Sequence, residues 1–230
     1  MVLSPLLPQT KLNLQMHEKP SPNLDDAIIR FDTVLRKLAG RRSTIARRES
    51  PAVAVPSDPL SPEARWTSRR LMRVNHSGEV CAQALYEGQA CAVSNDTRRA
   101  ALRAAAAEEF DHLAWCARRL RELETHPSYL NPLWYAGAFV MGAAAGRIGD
   151  RFSMAFLAET ERQVVAHLEG HLARLPPEDH ASRAILTQMK IDETKHLATA
   201  RRHGAFEFPG IVKWIMRAQA KIMITVAAEV

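Results

Sequence analysis

Two short segments, AEEFDH at residues 107–112 and DETKH at residues 192–196, decide the fold, because each places a glutamate three residues before a histidine. Residues three apart lie on one face of an α-helix, so Glu109 with His112, and Glu193 with His196, can each bind a common site. Such a pair on each of two helices, with one glutamate from each of two further helices, is the ligand set of a carboxylate-bridged di-metal site in a four-helix bundle.

Two further glutamates complete this ligand set. Glu79 precedes Glu109 by 30 residues, and Glu161 precedes Glu193 by 32 residues. The chain therefore repeats a helical hairpin that provides one glutamate and then a Glu-x-x-His pair. One such pair alone is common on helices, whereas two copies at nearly equal spacing rarely arise by chance. The predicted metal ligands are Glu79, Glu109, His112, Glu161, Glu193 and His196.

Apolar periodicity predicts that these ligands face inward. The clearest stripe surrounds Glu161, and similar ones surround Glu109 and Glu193, with a weaker one around Glu79. The stripe around Glu161 consists of Met154, Leu157, Val164, Val165, Leu168, Leu172 and Leu175. Buried, unpaired carboxylates are strongly disfavoured, so we expect two divalent cations to balance the four negative charges. Oxygen and imidazole ligands suit iron or manganese.

Neighbouring residues compete for roles at this site. Glu159 falls on the face opposite the apolar stripe and is not a predicted ligand. Glu108 and Asp192 are predicted to accept hydrogen bonds from ligand imidazoles, with a solvated helix flank as the alternative. Tyr86 lies two turns after Glu79 on the same face. It could contact substrate or relay an electron, and core packing is the favoured alternative.

Composition bounds the fold class and excludes several functions. The 230 residues are 47% hydrophobic and show no alternating strand pattern, which predicts an all-α domain with tails. The three cysteines, Cys81, Cys91 and Cys116, form no C-x-x-C motif, so neither a disulfide framework nor a thiolate metal site is expected. The net charge is +6, with a dense arginine run from Arg36 to Arg48. No nucleic-acid-binding module is recognisable, so an anionic membrane surface is the favoured partner.

The organisation along the chain follows from prolines, glycines and periodicity. We predict a disordered tail at 1–22, a short amphipathic helix (Asp25–Ala39) and linker within 23–61, a four-helix bundle at 62–205 with an apolar insert at 130–146, and an amphipathic helix at 206–230. The bundle helices are predicted at about Pro62–Val93, Asp96–Glu124, Asp150–Pro176 and Glu178–Gly204. No secretory leader is recognisable at the N-terminus.

Two apolar segments do not fit a plain soluble bundle. Residues 130–146 carry no charge over 17 residues, fewer than the roughly 20 of a spanning helix. They are expected to pack on the bundle or to enter the membrane interface, and Gly137, Gly142 and Gly146 suggest close packing. The last helix places Lys213, Arg217 and Lys221 beside an apolar face that includes Trp214, Ile211, Ile215 and Ile222. This pattern is typical of an interfacial helix, with bundle closure or a dimer contact as alternatives.

Five segments are more specific than the spacing of the glutamates and histidines: RVNHSGEVCAQALYEGQ (73–89), AEEFDHLAWC (107–116), NPLWYAGAFVMGAAAG (131–146), TERQVVAHL (160–168) and DETKH (192–196). In these segments the chain closely resembles the bacterial demethoxyubiquinone hydroxylases of ubiquinone biosynthesis. The resemblance covers about residues 24–230.

This resemblance implies a ferritin-like four-helix bundle with additional N-terminal and C-terminal interfacial helices and two Fe ions per chain. The family's ligand motifs fall on the same six residues. The implied reaction is a monooxygenation in which dioxygen and an external reductant hydroxylate the ring of a 2-polyprenyl-3-methyl-6-methoxybenzoquinol. The implied location is peripheral, at the cytoplasmic face of the bacterial cell membrane, with other ubiquinone-biosynthesis proteins as partners.

A family histidine also matches His167, six residues after Glu161. On a straight α-helix this residue lies about 120° from the ligand face. It would stand beside the ligands only if a π-bulge intervened, and a histidine on a helix flank is the alternative.

Rival functions differ in features visible in the sequence. An iron-storage protein with these ligands would not need an uncharged 17-residue segment, and a rubrerythrin-type electron carrier would carry paired C-x-x-C motifs. A non-catalytic scaffold with a vestigial site stays open, and iron content together with activity on a quinol separates it from an enzyme.

Overall fold

The computed structural model describes residues 46–56 and 59–230. The predicted tail at 1–22 and the predicted helix Asp25–Ala39 lie outside these residues. The described part is helical and contains no strand, which confirms the predicted all-α class. A short 3-10 helix, Pro51–Ala54, is followed by α1 (Pro62–Ala92), α2 (Asp96–Glu122), α3 (Asn131–Ile148), α4 (Asp150–Arg174), α5 (His180–Arg202) and α6 (Gly210–Ala227).

The helix starts are fixed by side-chain caps. Ser61, Asn95 and Asp179 each accept a hydrogen bond from a backbone N–H in the first turn of α1, α2 and α5. The predicted bundle helices agree with the observed ones to within two residues. The predictions of α2 and α5 run past the observed ends because Glu124 and Gly204 adopt positive φ angles of 57° and 92°, which end a helix.

The bundle consists of two hairpins, α1 with α2 and α4 with α5, which meet where α2 packs on α5. The uncharged segment 130–146 forms most of α3, which crosses from one hairpin to the other and packs mainly along α1. α6 packs against α1 and α4. Within the described ranges, no helix is long and apolar enough to cross a membrane.

The described residues form three apolar clusters, and two of these are layers that lie on opposite sides of the predicted ligands. The first layer includes Leu71, Met72, Cys116, Leu120, Leu168, Ile185, Leu186 and Met189. The second layer includes Tyr86, Leu102, Ala105, Met154, Leu157 and Ala200. Cys116 is fully buried here, with its Sγ atom 3.9 Å from Sδ of Met189, as expected for core packing. The four glutamates therefore lie at mid-height in an apolar interior.

The contact between α1 and α3 depends on two glycines. A Cβ atom added to Gly88 would overlap the carbonyl oxygen of Phe139, and one added to Gly142 would overlap the carbonyl oxygen of Leu85. Close packing was also predicted for Gly137 and Gly146. Gly146 lies close to Gln89 and Ala92 of α1, but Gly137 has no atom within 4 Å of an added Cβ, so that prediction was wrong for Gly137. Gly137 lies on the wall of an open cavity instead.

We expect Gly142→Ala to lower the free energy of unfolding by about 1–3 kcal/mol, because the new Cβ forces two backbones apart. Gly137→Ala in the same helix is the matched control. It meets no atom and should keep or raise stability, since alanine favours a helix by about 1 kcal/mol over glycine. Chemical denaturation measures both variants, and equal stabilities would contradict the close packing of α1 and α3.

Candidate metal centre

All six predicted ligands converge at the centre of the bundle. Two groups each bring potential ligand atoms within 4.8 Å of one another. The first group is Glu79, Glu109, His112 and Glu193, and the second is Glu161, Glu193 and His196. The most exposed of these residues, His196, has 7% of its surface accessible. The repeated hairpin of the sequence therefore becomes a pair of adjacent candidate sites, with Glu193 common to both.

Glu109 and Glu193 lie between the two histidines. Glu109 places Oε2 3.2 Å from Nδ1 of His112 and Oε1 3.2 Å from Nδ1 of His196. Glu193 repeats this arrangement, with Oε1 3.2 Å from Nδ1 of His112 and Oε2 2.9 Å from Nδ1 of His196. Each carboxylate thus directs one oxygen toward each histidine, which is the geometry needed to bridge two ions.

The other nitrogen of each imidazole points away from this cluster. Nε2 of His112 lies 3.2 Å from Oδ2 of Asp192, and Nε2 of His196 lies 3.3 Å from Oε2 of Glu108. Asp192 of α5 therefore faces the histidine of α2, and Glu108 of α2 faces the histidine of α5. Neither acid faces the histidine four residues after it in its own helix. A proton on Nε2 satisfies the acceptor and leaves the Nδ1 lone pair directed at the carboxylates, which is the tautomer that a metal needs.

The buried carboxylates of the site favour the binding of cations. Glu79 Oε2, Glu109 Oε1 and Glu193 Oε1 are buried without a hydrogen bond. Burial raises the pKa of Glu79 and of Glu161 well above the usual range of a carboxyl. Burial opposes charge on His196 too, but the carboxylates of Glu109 and Glu193 beside its Nδ1 atom raise its pKa to about 12. Divalent ions could therefore take the place of protons on these groups.

Tyr86 connects the second apolar layer to the site. It is fully buried, its hydroxyl donates a hydrogen bond to Oε1 of Glu161, and its ring lies edge-on to that of His196 at 6.1 Å. Core packing, the favoured prediction, is therefore combined with a direct contact to a predicted ligand. Burial raises the pKa of the phenol well above its usual value, so it stays a donor.

Glu159, which was not a predicted ligand, and His167 both lie outside the cluster. Glu159 is paired with Arg162 and belongs to neither ligand group. His167 also lies outside both groups, on a helix that is α-helical from Asp150 to Arg174, and its ring centre lies 3.9 Å from that of His171, with the two rings tilted by 53°. A role of His167 beside the ligands stays a prediction.

A cavity of about 950 Å³ adjoins the cluster. Residues of α1, α3, α4 and α6 form its walls, which are mainly apolar, and it opens on Glu79, Glu161 and Glu193. The apolar contribution comes from residues such as Leu85, Met141, Phe156, Met216 and Ile224. His167 lies on its wall, whereas Tyr86 is not among the described residues that line it. The cavity is large enough for a sizeable apolar molecule to reach three of the six candidate ligands.

The described part of the predicted linker, residues 46–56, packs on the bundle and contributes to the site. Arg48 contacts Asp111 and Asp192, and Asp111 is buried. Sequence reasoning missed both Arg48 and Asp111. The arginine run suggested only surface charge, and nothing in the local pattern relates residue 48 to partners more than 60 positions away. The position of Asp111 directly before His112 was the one available signal.

The chain is similar to known proteins of ubiquinone biosynthesis. The family model described as "Ubiquinone biosynthesis protein COQ7" matches residues 67–227. The 3-demethoxyubiquinol 3-hydroxylase of Cupriavidus taiwanensis is 52% identical over 209 residues, covering 90% of this chain and 100% of that protein. The 3-demethoxyubiquinol 3-hydroxylase of Burkholderia cenocepacia is 51% identical over 208 residues, covering 89% and 98%.

Among solved structures, a dodecameric thioferritin, the bacterioferritin-related protein from Bacteroides fragilis, matches with a TM-score of 0.50 and 17% identity. The match covers 67% of this chain and 89% of that one. At this identity the likeness shows the fold alone, and it confirms the predicted ferritin-like bundle. With a family model matched over most of its length and relatives about half identical across nearly all of it, the chain belongs to the COQ7 family of ubiquinone biosynthesis proteins.

Proposed function

We propose that this chain is a di-iron monooxygenase that hydroxylates the ring of a 2-polyprenyl-3-methyl-6-methoxybenzoquinol, using dioxygen and an external reductant. The observation that carries the proposal is the pair of buried ligand groups that share Glu193. Relatives about half identical over their full length are named 3-demethoxyubiquinol 3-hydroxylase, which supports the same reaction here.

We assign the two groups to two Fe ions per chain. Glu79 and His112 would hold one ion, Glu161 and His196 the other, with Glu109 and Glu193 between them. Two divalent ions offset four carboxylates, and oxygen with imidazole nitrogen is a donor set that suits iron. The buried carboxylate oxygens without hydrogen bonds support this fit, as does the ferritin-like fold.

Bound iron would supply the dioxygen and electron chemistry that the side chains lack. The chain's own residues fix the ligands and exclude water. Tyr86 holds Glu161 by a hydrogen bond, and Asp192 and Glu108 orient the imidazoles of the opposite helices. The apolar layers on both sides of the cluster keep water from reaching it along the bundle axis.

The cavity supports an apolar quinol as the substrate. A ring bearing a polyprenyl tail needs a wide apolar path with few polar groups, and the cavity between α3, α4 and α6 provides one. Because this cavity opens on Glu79 and Glu161, the ring would approach the site from the side of α1 and α4. The histidines and their acceptors lie toward α2 and α5.

We further propose that the protein binds peripherally at the cytoplasmic face of the bacterial cell membrane. One face of α6 closes the cavity, which agrees with the bundle-closure alternative, while its outer face exposes Ile211, Trp214, Ile215 and Ile222. Of the predicted cationic edge, Lys213 is paired with Glu207 at 2.7 Å. An exposed apolar face beside cations suits a lipid surface, and a lipid-dissolved substrate could enter directly from it.

Glu161→Gln tests the enzyme assignment. We expect its iron content to fall from two ions per chain and its hydroxylation of a demethoxyubiquinol to drop by on the order of 100-fold or more, because one site loses an anionic ligand. Glu159→Gln, two residues away in the same helix and outside both ligand groups, is the matched control and should keep both properties. Normal hydroxylation by Glu161→Gln would contradict the assignment.

Iron binding should release protons. Without metal, His196 has a pKa of about 12 and carries a proton at neutral pH, and burial favours the protonated forms of Glu79 and Glu161. A metal must displace these protons, so its affinity should rise from about pH 6 to about pH 8. Anaerobic calorimetry with ferrous iron, in two buffers of different ionisation enthalpy, counts the protons. A pH-independent affinity with no proton release would contradict the assigned ligands.

Replacing Ile211, Trp214 and Ile215 together by serine tests the membrane surface. Each side chain is more than half exposed, so the folded protein should retain its iron. Binding to vesicles that contain anionic lipid should weaken by at least about tenfold, because apolar area available to the lipid is lost. Ile191→Ser, at another exposed apolar position in α5, is the control. Unchanged vesicle binding by the triple variant would rule out this face of α6.

A further inference from the structure

Arg48 lies against the outer side of the candidate metal centre and connects two buried acids. Its Nη1 atom lies 2.8 Å from Oδ2 of Asp192, and its Nε atom lies 3.1 Å from Oδ2 of Asp111. The two carboxylates are 1% and 3% exposed. Nη2 lies 3.4 Å from Nε2 of His112. A planar guanidinium can contact several such groups at once, which a single ammonium cannot do.

The backbone around Arg48 is fixed to α2 by independent contacts. The N–H of Arg47 donates to Oδ1 of Asp111 at 2.6 Å, and Nε1 of Trp115 donates to the carbonyl oxygen of Arg48 at 3.2 Å. The Arg48 guanidinium carbon lies 4.9 Å from the centre of the Trp115 ring. Segment 46–56 is therefore docked with the guanidinium in one defined place.

Asp192 is the link between Arg48 and the ligands. Its Oδ2 accepts from Arg48 and faces Nε2 of His112, while its Oδ1 accepts from Gln188 and Lys195 at 3.1 Å each. Both carboxylate oxygens are thus engaged, and their orientation determines where the imidazole can donate. Fixing the imidazole in turn directs Nδ1 of His112 toward Glu109 and Glu193.

The corresponding acceptor of the other half of the site is more open. Glu108, which faces Nε2 of His196, has 44% of its side chain exposed, compared with 1% for Asp192. The duplicated hairpins therefore give two similar ligand sets whose outer supports differ. A change at residue 48 should act on the half that contains His112.

We propose that Arg48 is a positioning residue for one of the two metal ions: it orients Asp192, and through Asp192 the imidazole of His112, without contacting the metal. This inference rests on the proposed di-metal function and adds to it an inequality between the two sites. Loss of an outer support of a metal ligand weakens metal affinity by about 10–100-fold.

The test is an anaerobic titration of the full-length protein with ferrous iron, using a competing chelator to resolve two affinities. In Arg48→Ala we expect one affinity to fall by about 10–100-fold and the other to stay within about threefold. Arg47→Ala is the matched control, because it removes the same charge from the next position while Arg47 contacts Asp111 only through its backbone N–H. It should keep both affinities.

A double-mutant cycle identifies the affected ion. Arg48→Ala should add little to the loss caused by His112→Ala, since both act on the same site, whereas its effect should be additive with that of His196→Ala. Should Arg48→Ala fail to fold, Arg48→Lys retains the charge without the planar fork and should weaken the same ion. A general loss of packing would weaken both ions by similar factors.

Three outcomes would overturn the proposal: equal weakening of both ions, no weakening of either, or a cycle that couples Arg48 to His196. Each of these requires that the wild-type protein binds two ions. A wild-type protein that binds none would instead contradict the di-metal function itself, so the two failures are distinguishable.

Discussion

Four carboxylates buried in the middle of an apolar bundle are the constraint on which the rest of this structure depends. Glu79, Glu109, Glu161 and Glu193 lie between two apolar layers, each at most 3% exposed. Buried anions are tolerated only when neighbouring charges compensate them. The two histidines provide part of this compensation, and the oxygens left without a hydrogen bond need more. Under the proposed function, cations would satisfy this need, and the helices bring the candidate ligands to one height in the bundle.

Helices α3 and α6, which are additional to the four bundle helices, explain how a molecule can reach such an enclosed site. Gly88 and Gly142 let α3 lie so close to α1 that the two backbones touch, which leaves α3 beside the bundle rather than inside it. With α6 opposite, α3 then forms a wall of a large apolar cavity that ends at the glutamates. The uncharged segment and the amphipathic last helix thus give one side of the buried site a path for an apolar molecule.

Features that depend on the residue pattern within each helix were predicted well from the sequence. Helix bounds and the convergence of the six candidate ligands follow from apolar periodicity, spacing, prolines and glycines, which local residues encode. Features that depend on contacts between distant segments were not predictable. Arg48 reaches Asp192 across 144 positions, and the histidine acceptors are exchanged between helices, which no local pattern reveals. At Gly137 a contact was predicted that the structure does not contain. A series of glycines suggests close packing, but it does not show which of the glycines face a neighbouring helix.

The two sides of the candidate metal centre have different surroundings. Its histidines and their acceptors belong to α2 and α5, where Asp192 and Arg48 support the imidazole of His112 from outside. The lone glutamates belong to α1 and α4 and face the cavity, and among the described residues that line this cavity only Glu193 comes from α2 or α5. Hence His112 is supported from outside the core, whereas Glu79 and Glu161 border open space. A duplicated hairpin alone would produce two equivalent halves. Unequal supports on one face and a cavity on the other create the direction from which a substrate can approach.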